Sequence, residues 1–159
     1  MWLEPNALKG RALDWAVAYV RVAPFIGGRI ILQQDLADTA LHNGNRISSD
    51  PSEALALIER AGIATRRTKS GIWQAMSAED AGDAQLVDWA EYTEKRGRPH
   101  YHFSSSVQPR RQRFDGETLI LAGLRCFVGT ACPWHIHVPD RYVEESGIPA
   151  LGTPTSTAS

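Results

Sequence analysis

The chain has 159 residues, 43% of them hydrophobic and 22% charged, which is enough for one domain with a buried core. Its 17 basic and 18 acidic side chains leave a formal net charge of -1, which argues against a general nucleic-acid coat and against a stable nucleic-acid complex. No segment approaches the roughly 20 apolar residues needed to span a bilayer, and the opening MWLEPNALKG lacks the basic-then-apolar build of a signal peptide, so a cytoplasmic protein is expected.

In chain order, residues 7–22 predict an amphipathic helix with Leu8, Ala12, Trp15, Ala16 and Tyr19 on one stripe, Asn6 as cap and Pro24 as stop. From Pro24 to Ile47 the signals are mixed. Residues 29–32 read as a short strand, 33–41 as a helical turn or two and 42–46 as a turn, together an insertion after the first helix. The clearest helix start follows: Asp50 as N-cap, Pro51 at the first helical position and Glu53 three residues after the cap. Leu55, Ile58 and Ala61 supply its apolar spacing, and Gly62 closes it.

Beyond Gly62 the period changes to two. Ile63–Lys69 and Ile72–Ser77 predict a hairpin about Ser70-Gly71, and 85–93 with 100–107 a second strand pair. In the last strand Tyr101, Phe103 and Val107 face one way while His100, His102 and Ser104 face the other. Leu119–Val128 is an apolar helix with Asp115 and Gly116 as its start; PWHIHVPD is extended, and DRYVEE adds one helical turn. The expected class is α+β: an antiparallel four-stranded meander packed against helices in one domain, 1–149, with 150–159 as a flexible tail.

Arg125 is the one charge in the apolar helix, and burying it costs several kcal/mol unless it is paired or hydrogen-bonded. It therefore meets a buried carboxylate, for which Asp14 on the first helix is suited, or snorkels to the surface, or awaits an anionic ligand. Cys126 falls inside that helix and Cys132 just after it, so a disulfide framework is not expected. The pairs His100/His102 and His135/His137 contain zinc-ligand chemistry but match no finger or ribbon spacing, so no metal is expected. No nucleophile motif, metalloprotease motif or phosphate loop is present, and the expectation is a protein that is not an enzyme and needs no cofactor. The clusters Arg110/Arg111/Arg113 and Arg66/Arg67/Lys69 supply guanidinium groups suited to phosphate. Tyr101 and Trp73 supply rings on which a base can stack, Trp73 being placed on the sheet face opposite the core.

Three segments carry a resemblance: Leu8 to Ala18 (LKGRALDWAVA), Ser48-Ser49-Asp50 with its following helix, and Leu119 to Val128 ahead of His137-Val138-Pro139. In that order they resemble the NinX-like phage proteins of unknown function, from which the chain departs at Asn45–Asp50, where the family's tyrosine is missing and only Ser49-Asp50 matches well. A more distant similarity reaches phage α-β-α sandwich proteins, among them anti-Thoeris sponges that bind cyclic ADP-ribose-type immune signals without cleaving them. That similarity implies a phage-encoded, non-enzymatic homo-oligomer in the host bacterial cytoplasm, sequestering a cyclic nucleotide or ADP-ribose-type signal. The expected ligand-binding residues are Arg125, Arg66, Arg110, Trp73, Tyr101, His102 and Asp50. The alternative is an accessory module that inhibits a host defence protein directly, through an exposed sheet face or the insertion near Gln33.

Overall fold

A nearly all-buried helix organises the chain. In the computed structural model, which describes residues 1–26, 30–77 and 113–149 (side chains at all of these except 23–26 and 30–32), it is α1 (Gly10–Ile26). Ahead of it come β1 (Trp2–Leu3) and a 3-10 turn, Pro5–Ala7; after it come α2 (Ile30–His42), a second 3-10 turn at Ile47–Ser49, and α3 (Pro51–Arg60). The chain continues through β2 (Ile63–Arg67), β3 (Trp73–Ser77), β4 (Phe114–Gly116), α4 (Leu119–Ala131), β5 (Ile136–His137) and α5 (Asp140–Glu145).

Every residue of α1 from Ala12 to Ala18 is buried, because α2, α4 and α5 pack around it. A helix apolar on all sides belongs at the centre of a core. It runs past the expected stop at Pro24 to Ile26. The proline forfeits one backbone bond near the helix end, and packing along α2 outweighs that loss. Gly10 adopts φ +52 at the start, and Ser146, which follows α5, accepts from the Ala12 N–H at 2.8 Å. A distant serine thus does the capping expected of Asn6, whose Oδ1 instead accepts from the Asp115 N–H at 3.2 Å.

The expected insertion is a core helix. Ala37 and Leu41 of α2 are buried with α1, and Gln33, 4% exposed, donates to the Tyr19 carbonyl at 2.8 Å. Residues 30–32 are helical rather than strand, their β-branched propensity being overridden by the tertiary context. Helix α3 starts as its sequence dictates, with Asp50 accepting from the Glu53 N–H at 3.2 Å and Gly62 at φ +68 beyond its end. Its buried face is Ala54, Leu57 and Ile58; Leu55 is 46% exposed and Ala61 is also exposed, because α4 meets the helix about one position round from the expected stripe.

Strands β2, β3 and β4 form one antiparallel sheet in that order, with Thr65 opposite Ala75 and Ala75 opposite Phe114. The β2–β3 turn closes with the Thr68 N–H on the Ile72 carbonyl at 2.8 Å and Gly71 at φ +91. The described sheet is therefore three-stranded rather than a four-stranded meander; the expected strands at 85–93 and 100–107 and the tail 150–159 lie outside the described residues. Its third strand comes from the segment expected to start the apolar helix. Thr118 caps α4 instead, accepting from the Leu121 N–H at 3.1 Å, which leaves Phe114–Gly116 free to pair with β3. Strands β1 and β5 form a separate two-stranded sheet.

Helix α4 crosses the three-stranded sheet and touches α1 and α3 as well. Its small residues permit that closeness. A Cβ on Gly129 would collide with the Phe114 ring, and one on Gly123 would lie 2.8 Å from Ile58 Cγ1 and closer still to its Cδ1. Between sheet and helix sit Ala75, Phe114, Ala122 and Cys126, with Trp73 packed against them. Trp73 thus faces α4, contrary to its expected place on the opposite face, because it shares the parity of Ala75 on β3. Among the described residues no helix is long and apolar enough to cross a membrane.

Candidate functional site

Arg125 does not meet Asp14. Its Nε donates to the Leu8 carbonyl at 2.9 Å and its Nη1 to the Asp115 carbonyl at 2.7 Å. Leu8 precedes α1 and Asp115 lies in β4, so one side chain on α4 ties three segments together. Burial pulls the guanidinium below its ordinary pKa, and the carboxylates of Asp115 and Glu117 partly offset that. Asp14, 4% exposed, accepts from the Ser48 N–H at 2.8 Å and holds the second 3-10 turn ahead of the α3 cap. The proposed Arg125–Asp14 bridge is therefore absent: each group is satisfied by backbone, the nearest source of partners for a buried charge. The segments that carry the family resemblance meet at these joints, Leu8 with Arg125 and Asp14 with Ser48.

Of the other expected ligand residues, those that are described do not gather at one place. Arg66 lies on β2, Trp73 packs toward α4, and Asp50 is occupied as the α3 cap. Arg110, Tyr101 and His102 lie outside the described residues. His135 and His137 are exposed on β5 and its approach; His137 packs edge-on against Trp2 at 5.2 Å, and His135 lies 3.9 Å from Glu4. Among the described residues no three His, Cys, Asp or Glu side chains converge as a metal site. Cys126 is buried and Cys132 half-buried, and neither is in a disulfide among the described residues.

A pocket of about 470 Å³ opens where α1, the end of α2 and α5 meet, within the size range of small-ligand sites. Arg11 enters from the first turn of α1, His42 from the last turn of α2, Gly44 and Arg46 from the segment after it, and Arg141, Tyr142 and Glu145 from α5. The sequence dictates each placement locally. Gly44 adopts φ +85, so the chain reverses there and brings Arg46 back beside the end of α2. Val143 and Tyr142 point into the core, and that orients the short helix so that Arg141 and Glu145 stay at the rim.

Asp38 anchors the pocket from beneath. Its Oδ1 accepts from Trp15 Nε1 at 2.9 Å and from the Tyr142 hydroxyl at 3.0 Å, while its Oδ2 pairs with Arg141 Nη2 at 2.8 Å. The Arg141 guanidinium lies 4.7 Å from the Tyr142 ring centre and that of Arg11 lies 5.9 Å from it, a cation–π arrangement that leaves little of the ring uncovered. Trp15 stacks on the inner side at 6.4 Å. The hydrogen bond to Asp38 raises the Arg141 pKa; burial, aided by Asp38, raises that of Tyr142. Both arginine and phenol are thus held in their proton-bearing forms.

Arg11 is less completely answered. Its Nε reaches Glu145 Oε2 at 3.4 Å, and its Nη1 is buried with no hydrogen-bond partner among the described residues. An unanswered buried donor costs about 1–3 kcal/mol. Three guanidinium groups against the carboxylates of Asp38 and Glu145 leave one positive charge over. Such an arrangement accepts a phosphate or carboxylate through paired N–H donors. None of these arginines stood out in the sequence, because Arg11, Arg46 and Arg141 lie far apart along the chain and nothing local marks them as neighbours.

Comparison of the chain with protein-family models, with curated proteins and with solved structures returns no match.

Proposed function

We propose that the protein binds a small phosphate-bearing ligand, without converting it, in the pocket of Arg11, Arg46 and Arg141. The observation that carries this reading is the convergence of three arginines, against one carboxylate, on the described lining of one cavity. Binding rather than catalysis is favoured because the pocket's one hydroxyl among the described residues, that of Tyr142, donates to Asp38 and so is not offered as a nucleophile, while Arg141 pairs with Asp38 and His42 Nδ1 faces the Asp38 carbonyl at 3.1 Å. Sequestration of a cyclic nucleotide or ADP-ribose-type signal by a phage protein is the biological form of this reading. It draws on the resemblance, with the phosphate held at this pocket rather than at Arg125.

The test is a thermal melt against cyclic dinucleotides, cyclic ADP-ribose isomers, ADP-ribose and NAD, run in parallel on Arg46→Glu. Arg46 is exposed and makes no ion pair among the described residues, so the variant folds. A ligand at a hundred times its dissociation constant stabilises the parent by about 2.7 kcal/mol and the variant much less. No shift with any of these compounds, or an equal shift in both proteins, overturns the proposal.

A second reading, the interaction module, is favoured by Trp2 and Trp134, which are 60% and 65% exposed. Exposed tryptophans are frequent anchors of protein interfaces. Gln33, by contrast, is buried and offers no such surface. Replacing both tryptophans by alanine abolishes partner binding under this reading and leaves it intact under the first.

A further inference from the structure

We infer that the ligand of this pocket is a sugar phosphate, its phosphate on the arginines and a neighbouring hydroxyl on Glu145. The inference rests on the phosphate-binding reading above and deepens it. Among the described residues Glu145 is the only acidic side chain lining the pocket, and its sole partner there is the Nε of Arg11 at the long distance of 3.4 Å. A carboxylate so placed repels a bare phosphate. It is compatible with an anionic ligand that also brings hydrogen-bond donors, since an ionised carboxylate accepts only.

His42 points to the same chemistry. Its Nδ1 faces the Asp38 carbonyl, which can only accept, so in the neutral ring Nδ1 carries the hydrogen and Nε2 is left as an acceptor at the pocket wall. Two acceptors beside three guanidinium groups match a hydroxyl-bearing phosphate ester. A flat apolar ring finds less here: the Tyr142 ring is 3% exposed beneath two arginines, and Leu41 is 2% exposed. The pocket therefore reads the phosphorylated sugar and leaves any base outside.

The experiment measures calorimetric affinities of ribose 5-phosphate and methyl phosphate for the parent and for Glu145→Ala. Glu145 is about half exposed at the rim, so its removal spares the fold, which a melt of the free variant checks. The parent is expected to prefer ribose 5-phosphate by about tenfold or more, in line with a hydrogen bond to a charged group. In the variant, methyl phosphate binds more tightly than to the parent and the preference falls to within about twofold. A parent that binds the two esters equally, or a preference that survives in Glu145→Ala, overturns this inference while leaving phosphate binding standing. A parent that binds neither ester overturns both.

Discussion

At the scale of single residues, Arg125 and Arg11 show two ways of carrying a guanidinium into an apolar environment. Arg125 is answered by two backbone carbonyls, those of Leu8 and Asp115, and its charge is spent on joining α4 to β4 and to the entry of α1. Replacing Arg125 with methionine keeps the stem's packing and strands both carbonyls. The expected loss is about 2–3 kcal/mol of stability, seen as a lower denaturant midpoint with ligand binding by the folded fraction unchanged. A variant that melts like the parent would remove the joint from the account. Arg11 shares the pocket lining with Arg46 and Arg141, which is why the pocket and not Arg125 carries the functional reading. The need for a partner at Arg125 was legible from its apolar neighbours. The partner's identity was not, because a backbone carbonyl has no sequence signature.

At the scale of elements, α4 was legible as a buried helix from its apolar run, and α3 from its cap, proline and closing glycine. Local rules write both signals into adjacent residues. Strand β4 escaped because Phe114-Asp115-Gly116 carries no β pattern of its own and exists through pairing with β3. The glycines of α4 show the same dependence on context. Alanine at an exposed helical glycine adds up to about 1 kcal/mol of stability. At Gly129 the new methyl would meet the buried Phe114 ring, and overpacking of that kind costs about 1–3 kcal/mol, so the sign reverses. Gly129→Ala is expected to unfold at lower denaturant than the parent, and an unchanged or higher midpoint would show that Phe114 has room to yield.

At the scale of the whole molecule, one buried and two partly buried weak acids make stability decline at alkaline pH. Burial raises the pKa of the Cys132 thiol, of Tyr19 and of Tyr142, with Asp38 adding to the effect at Tyr142 and Cys132 at Tyr19. In the unfolded chain these groups ionise near their ordinary values, 9.0 for the thiol and 10.0 for the phenols. Their folded-state values lie higher, so the contribution is complete below about pH 9 and is lost as the pH climbs through the folded values. Denaturant midpoints should therefore decline above about pH 9, and Tyr142→Phe should flatten part of that decline. A parent and variant with superimposable alkaline profiles would exclude Tyr142 as a source.

What was legible from residue order alone is what depends on near neighbours: the α3 cap, the Ser70-Gly71 hairpin, the apolar residues of α1 and α4, and the need to answer Arg125. Hydrogen-bonding geometry and side-chain periodicity act over a few residues, so these features show in the sequence itself. The core role of α2, the facing of Trp73 and the partners of Arg125 and Asp14 emerged with packing. So did the pocket, whose walls come from both ends of the chain: Arg11 and Arg141 become neighbours because Trp15 and Tyr142 both donate to Asp38. Convergence of that kind is set by how helices seat against one another, and no stretch of sequence short enough to be read as a motif contains it.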